Sequence, residues 1–386
     1  MKSFVSTVID KPTILTPDDG YHYFFGYYDL PATDLSGRHL CHRVSFMDRM
    51  QEATDVAELG YVKDGIFTGF AKTTAWNFQQ GALLQFHPTK SDTVYYNSVE
   101  NGVFCTVEQD LCTGAKRCTD RPAAAISADG KWGLGIQFGR VFAFRPGYGY
   151  AGLTDPYADV CAPAEDGVFL IDMETGRSRL LVSYAQMQEP AGFDPDKKIL
   201  VNHINFAYDS DRYAMLVRDF PTPEKQGWST TLMVGNRRGD IKSVLKNTFV
   251  SHYRWANERE LVVYCTIDEK PSMYLIDTES GAWRELDTPY FCRKGIADIH
   301  CNLLRDGKYI IGDGYPIEGY RYLIAYNRES GASKVLLGAF SVAPPVVDVR
   351  CDLHARFSAD GRFVTYDTTE NGKRQIAAIP TDVLSF

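Results

Sequence analysis

RCDLHARFSADGRFVTY, residues 350–366, contains the phrase from which the rest of the chain can be read. Its second half, FSADGRFVTY (357–366), is a polar turn followed by an apolar run. An Asp-Gly turn between extended segments is hairpin chemistry, because Gly takes up the positive φ of a tight turn. The same phrase recurs as DLSGRHLCHR (34–43), PTKSDTVYYN (88–97), SADGKWGLGI (127–136), YDSDRYAMLV (208–217), WANERELVVY (255–264) and LLRDGKYIIG (303–312). A second phrase follows it: VFLIDMETGRSRLL (168–181), MYLIDTESGAWREL (273–286) and YLIAYNRESGASKVLL (322–337), each a strand, a Gly turn and a strand. Two hairpins per unit make four strands, and seven units predict an all-β, seven-bladed β-propeller of four-stranded blades.

Successive turns at Gly37, Asp92, Gly130, Asp211, Arg259, Gly307 and Gly361 stand 38 to 55 residues apart, except for one interval of 81. The long interval predicts a loop inserted at about 144–167, FRPGYGYAGLTDPYADVCAPAEDG, within one propeller domain spanning 1–386. Ring closure is expected from pairing of FVSTVI (4–9) with RQIAAI (374–379), which removes exposed strand edges. Two packed β-domains are the competing fold. The one helix candidate is DRMQEATDVAELG (48–60), and no G-x-G-x-x-G, Walker A or G-x-S-x-G segment occurs.

The chain is 44% hydrophobic, ample for a large core, and its 23 tyrosines and 22 phenylalanines favour strands. A formal charge of −8 without a basic block gives no support to a nucleic-acid partner. The N-terminal segment has no apolar region of signal-peptide length, and no run reaches 18 apolar residues. The expectation is a cytoplasmic protein without a membrane partner. Nine cysteines without CxxC spacing are expected as buried, reduced thiols.

Four of the eight histidines share one register, three residues before the apolar residue that opens a repeat. They are His203, His252, His300 and His354. Radial repetition brings equivalent positions to one channel mouth, where neutral imidazoles suit a divalent metal such as Mn²⁺, Zn²⁺ or Fe²⁺, or serve a general base. Asp298 and Asp352 each stand two residues before a histidine, on the same strand face, to ligate metal or orient the ring. Arg121, Arg218, Arg254 and Arg350 lie near the same expected rim, and the guanidinium fork matches a carboxylate. Trp76, Asn77 and Gln80, in TTAWNFQQGALLQFHP (73–88), fit either a sugar-binding wall or plain blade packing. Tyr27, Tyr28 and Asp29, in YFFGYYD (23–29), rim the pocket or belong to the core. His39 and His87, in or near turns, are expected to face solvent.

The H-x-x-F-S-x-D-G segments and DLHARFSADGRFVTYD…GKRQI resemble the oligogalacturonate lyase family of seven-bladed propellers, best over about 200–386. That resemblance implies a Mn²⁺-like ion held by His300 and His354, with His252 a further ligand, and His203 as the base. The family's late histidine pair reads DLH here, with Asp352 in the first place and no glutamine just before it. This departure points to a sister activity on another uronate-containing glycan. A β-elimination on an acidic oligosaccharide then needs His203 to take the C5 proton, Arg218 or Arg254 to clamp the carboxylate, and Tyr208 as a candidate acid. Two other readings fit the same residues: a non-catalytic glycan- or protein-binding propeller, and a metal-assisted sugar hydrolase or epimerase.

Overall fold

A computed structural model describes residues 12–223, 225, 227–286, 298–304 and 307–384. Seven four-stranded antiparallel sheets follow one another in chain order. Their first strands are His22–Phe24, Gln85–Phe86, Ala123–Ile126, Ile199–Phe206, Val250–Trp255, His300–Leu303 and Arg356–Phe357, for blades 1 to 7. The protein is an all-β, seven-bladed propeller, and the two-domain alternative falls away. Each DG-type turn joins the first strand of a blade to its second. In blade 7, Asp360 accepts from the Arg362 amide at 3.1 Å and from the Ser358 hydroxyl at 2.6 Å, while Gly361 takes φ +69°. The second phrase joins third to fourth strands. There Asp277 accepts from the amides of Glu279 and Ser280, at 2.9 and 2.8 Å.

The core lies between the blades. In blade 5 the run Glu260–Ile267 alternates sides. Leu261, Val263 and Cys265 pack with blade 4 residues such as Leu216 and Leu232, whereas Val262 and Tyr264 pack with Ile310 and Ile324 of blade 6. Strand period two, with both faces covered, is why these segments read as continuous apolar runs. Each such buried side chain contributes roughly 1.5–3 kcal/mol.

Closure pairs the two ends of the chain. Thr13–Ile14 forms the outer strand of blade 7 against Gln375–Pro380, with Thr13 opposite Ala378. The expected partner segment 4–9 lies outside the described residues. The helix expected over 48–60 does not form: its first part is turn and bend, and Ala57–Lys63 is a strand of blade 1. The apolar residues at 57, 59 and 62 serve a sheet, with Ala57 and Leu59 fully buried. Two short helices do occur, α1 (Phe138–Phe144) and α2 (Tyr184–Ala191), the first within the long connection between Trp132–Gly135 and Gly167–Asp172. A capping box starts α2, with Ser183 and Gln186 bonding each other's backbone amides.

The cysteines are not uniformly inside. Among the described residues, Cys41, Cys105, Cys265, Cys301 and Cys351 are buried, Cys161 is half-buried, and Cys112 and Cys118 are exposed, all as free thiols. The two exposed ones occupy a turn and the outer strand of blade 2, whose residues Lys116–Cys118 are all exposed. No helix among the described residues is long and apolar enough to cross a membrane.

Candidate functional site

The four histidines do converge. Each stands three residues before the last residue of its inner strand: Phe206, Trp255, Leu303 or Phe357. In blades 4 and 5 a bulge precedes the histidine, with register shifts between Val201 and His203 and between Val250 and His252. A bulge re-aims the following side chain, a common device beside functional sites. His354 precedes its strand and has φ +44°.

The four imidazoles surround one phenol. The Tyr28 ring centroid lies 6.3, 6.2, 6.0 and 5.8 Å from those of His203, His252, His300 and His354. Segment 25–29 thus enters the channel itself, and Tyr27 packs between His203 (5.0 Å) and His354 (4.9 Å). Gly26 makes this entry possible. It has φ +121°, and a Cβ there would meet the Gln80 carbonyl at 2.9 Å.

One side of the ring is a cluster of His300, Asp352 and His354, whose candidate ligand atoms all lie within 4.8 Å of one another. His354 Nδ1 contacts the Gly26 carbonyl oxygen at 2.7 Å. A carbonyl only accepts, so Nδ1 carries the proton and Nε2 keeps its lone pair. That Nε2 and the Nε2 of His300 are buried without hydrogen-bond partners, 3.9 and 3.8 Å from Asp352 Oδ2. Two imidazole nitrogens without a partner, facing one carboxylate oxygen, suit a borderline divalent ion such as Zn²⁺, Mn²⁺ or Fe²⁺. Behind the cluster, Asp313 lies 3.4 Å from His300 Nδ1, and Arg321 reaches Asp352 Oδ1 at 2.7 Å. Arg350 Nε lies 2.9 Å from Asp352 Oδ2. Burial opposes the Asp352 charge, but these two guanidiniums outweigh it and hold the carboxyl well below its usual range. Burial likewise disfavours a charged His300, and Asp313 and Asp352 reverse this, so His300 shifts upward. Burial, then the neighbouring His300, pushes His354 well down.

His252 packs at a tilt against His300, ring centroids 4.1 Å apart, outside the three-residue cluster. Its Nδ1 meets Asp298 at 3.1 Å. Asp298 therefore serves the histidine of the preceding blade. The expectation that it orients His300, two residues on, gives way because Asp298 has left the strand, with φ +62°. Burial and His300 lower His252 to about 4, against the pull of Asp298.

The other side is a small polar cavity, lined by His203, His252, Asp298, Arg218, Arg350 and Tyr27, with Asn202, Ser251, Arg145, Tyr148 and Tyr315. His203 presents its ring here, with Nε2 3.9 Å from Asp29 Oδ2. Asn205 holds that carboxylate at 3.1 Å, and Tyr253 packs edge-on to the imidazole at 4.7 Å. Burial, then His252 and Arg218, keeps His203 neutral, well below its ordinary value. Arg218 is buried with no carboxylate partner among the described residues. It donates only weakly to the carbonyls of Val250 (3.3 Å) and Ser251 (3.5 Å), and its Nε has none. Burial and Arg145 lower it to about 10, an unusual depression for a guanidinium.

Several expected residues lie elsewhere. Arg254 is behind the wall, donating to the Asp29 carbonyl at 3.1 Å. Arg121 packs on the Phe169 ring, 3.4 Å from its centroid, and does not line the cavity. Tyr208 belongs to a turn beyond the strand end and donates to the Trp255 carbonyl at 3.2 Å. At about 3.3 Å per residue, that is roughly 10 Å or more from the level of His203. Trp76 and Asn77 are fully buried and Gln80 nearly so. Trp76 packs on Phe78 at 5.0 Å, and Asn77 caps the turn by accepting from the amides of Gln79 and Gln80, at 3.2 and 2.7 Å. They serve packing because the segment runs under blade 1 before entering blade 2. His39 and His87 are also buried, His39 near Thr365 at 3.0 Å and His87 accepting from the Thr89 and Lys90 amides.

Residues outside the repeats complete the site. Tyr148 and Arg145 come from the long connection. Tyr148 accepts from Arg350 at 2.9 Å, and Arg145 pairs with Asp348 at 2.9 Å, tying the insertion of blade 3 to the approach of blade 7. The only sign of Tyr148 in the sequence is the Gly- and Tyr-rich composition of its loop. Asp313 and Arg321 sit in ordinary strand phrases and carry no such sign.

No protein-family model matches the chain, and no curated protein matches it. Solved structures do. An oligogalacturonate lyase in complex with manganese superposes with a TM-score of 0.68 at 16% identity, covering 98% of this chain and 96% of that one. An oligogalacturonate lyase from Vibrio parahaemolyticus gives 0.67 at 13% identity, over 98% and 95%. The β-propeller domain of the Trilobed protease from Pyrococcus furiosus gives 0.53 at 8% identity, over 94% and 95%. At such identities the likeness concerns the fold: this chain is a seven-bladed β-propeller similar to oligogalacturonate lyases and to propellers of other enzymes.

Proposed function

We propose that the protein is a lyase that cleaves a uronate-containing oligosaccharide by β-elimination. The observation that carries this reading is Arg218: a buried guanidinium without a carboxylate partner among the described residues, facing a cavity also lined by a neutral histidine. An unpaired buried cation is costly unless a ligand supplies the anion. A carboxylate matches its fork.

With the uronate carboxylate on Arg218, negative charge developing at C5 and the carboxylate is stabilised by the buried guanidinium. His203 takes the C5 proton, and Asp29 behind it favours the imidazolium that forms. The electron pair forms the C4–C5 double bond, and the C4–O bond breaks toward the leaving sugar. Tyr27, placed between His203 and His354, stands where the expected acid Tyr208 does not. Burial, then Tyr148, holds its phenol well above the ordinary value, so it stays protonated and can donate to the departing oxygen. His300, His354 and Asp352 would hold a divalent ion, which supplies Lewis-acid stabilisation of an anionic oxygen. The likeness to a manganese-bound oligogalacturonate lyase supports the same reading.

The test is an ultraviolet screen for C4–C5 unsaturated product against a panel of uronate glycans, with Mn²⁺ or Zn²⁺ and with chelator. Unsaturated product that disappears in His203→Ala supports the proposal. A cleaved but saturated product would assign a hydrolase instead, and binding without any product would assign a glycan-binding propeller.

A further inference from the structure

We infer that Trp228 is a sugar-stacking platform for the residue linked to the reacting uronate, so that the site recognises a uronate joined to a second pyranose rather than the free acid. The inference rests on the proposed role of Arg218. Trp228 lies in the connection between the second and third strands of blade 4 and is 38% exposed. Phe144 of α1 packs edge-on to it at 5.2 Å, while the guanidiniums of Arg145 and Arg218 lie 5.6 and 5.8 Å from its ring centroid. Both arginines line the cavity.

The other tryptophans are placed differently. Trp76 and Trp255 are buried, Trp132 lies under Arg237, and Trp283 is on the outer strand of blade 5 against Tyr274. Trp228 is thus a partly open aromatic ring held at the edge of a polar, arginine-lined cavity. An aromatic face offers C–H contact to a pyranose while the sugar hydroxyls remain in water, and a ring already fixed by its neighbours loses little freedom on binding. Because the ring adjoins Arg218, a pyranose stacked on it neighbours the sugar whose carboxylate Arg218 holds.

The experiment titrates His203→Ala protein, which holds substrate without turnover, with D-galacturonate, D-glucuronate, D-mannuronate and L-guluronate and with the 1,4-linked dimer of each. Calorimetry and tryptophan fluorescence are the readouts. For at least one sugar the dimer is expected to bind roughly five- to ten-fold tighter than the monomer and to change the fluorescence. Adding Trp228→Ala removes both the increment and the signal while leaving monomer affinity unchanged. Adding Trp283→Phe preserves both. Dimers no tighter than monomers throughout, or an increment that survives Trp228→Ala, would overturn the subsite. Monomer binding indifferent to Arg218→Gln would count against the carboxylate clamp alone, and no binding of any uronate would overturn both.

Discussion

His354 donates from Nδ1 to the carbonyl of Gly26 across 2.7 Å, joining the approach to blade 7 to the loop that enters the channel from blade 1. This bond fixes the tautomer and aims the Nε2 lone pair toward His300 and Asp352. Orientation of a ligand histidine by a second hydrogen bond is the usual arrangement at metal centres. Here the orienting group is a backbone carbonyl, which no side-chain substitution at position 26 removes.

Metal content should follow the cluster. Wild-type protein dialysed against Mn²⁺ or Zn²⁺ is expected to retain a divalent ion, and His300→Ala or His354→Ala to lose it, as read by elemental mass spectrometry. Unchanged content in both variants contradicts the assignment. Asp352→Asn strands Arg321 and Arg350 in a buried site, and a loss of about 3–5 kcal/mol in denaturant unfolding is expected.

Arg218 should separate activity from stability. Arg218→Met removes a buried, unpaired charge, so the melting temperature is expected to hold or rise. Product formation is expected to fall by about a hundred-fold or more, the scale seen when one charge-stabilising donor is lost. A variant that unfolds while its residual folded fraction keeps full activity would make Arg218 structural.

His203→Ala tests the base. A drop of roughly 10²–10⁴-fold in product formation is expected, with an unchanged circular-dichroism spectrum. Retained activity would move the base elsewhere. Tyr208→Phe, at the far end of the strands, is expected to leave the rate unchanged.

Acid should destabilise the metal-free protein. Burial lowers His203 and His354 well below their ordinary value, takes His252 and His87 to about 4, and takes His39 and His42 to about 3. Folded, these rings bind fewer protons than in the unfolded chain. Their contribution is whole above pH about 6.5 and is lost as pH falls, by about 1.4 kcal/mol per pH unit for each group titrating only in the unfolded state. His300 has the opposite sign: its raised value adds stability at low pH that is lost as pH rises through it. The lowered histidines outnumber it, so thermal denaturation in chelator should show the melting temperature falling from pH 7 to pH 4. A flat profile would contradict the burial of these rings.

The fold was legible in the sequence because hairpin turns repeat their chemistry. SADG and its variants mark the same turn in every blade, and the four histidines keep one offset because they occupy one level of the inner strands. The rest of the site lies where the repeat is silent. Tyr27 and Tyr28 come from a loop in blade 1, Tyr148 and Arg145 from the long connection, and Trp228 from another connection. None has a counterpart in other blades to signal its place. Trp76 and Asn77 misled for the complementary reason: an amide–aromatic set is equally good chemistry for a turn cap over a core. Residues 48–60 looked helical because Met50, Ala53, Val56 and Ala57 recur at spacings of three and four, whereas Ala57 and Leu59, two apart, fit the strand that forms.

The central claim is that the histidine-lined mouth performs an elimination. The most direct measurement is the proton NMR spectrum of the sugar fragments released by the wild-type protein from a uronate oligosaccharide. The account predicts a vinylic H4 signal at the new non-reducing end, absent with His203→Ala. Fragments with a saturated, hydroxylated C4 and no vinylic proton would contradict it.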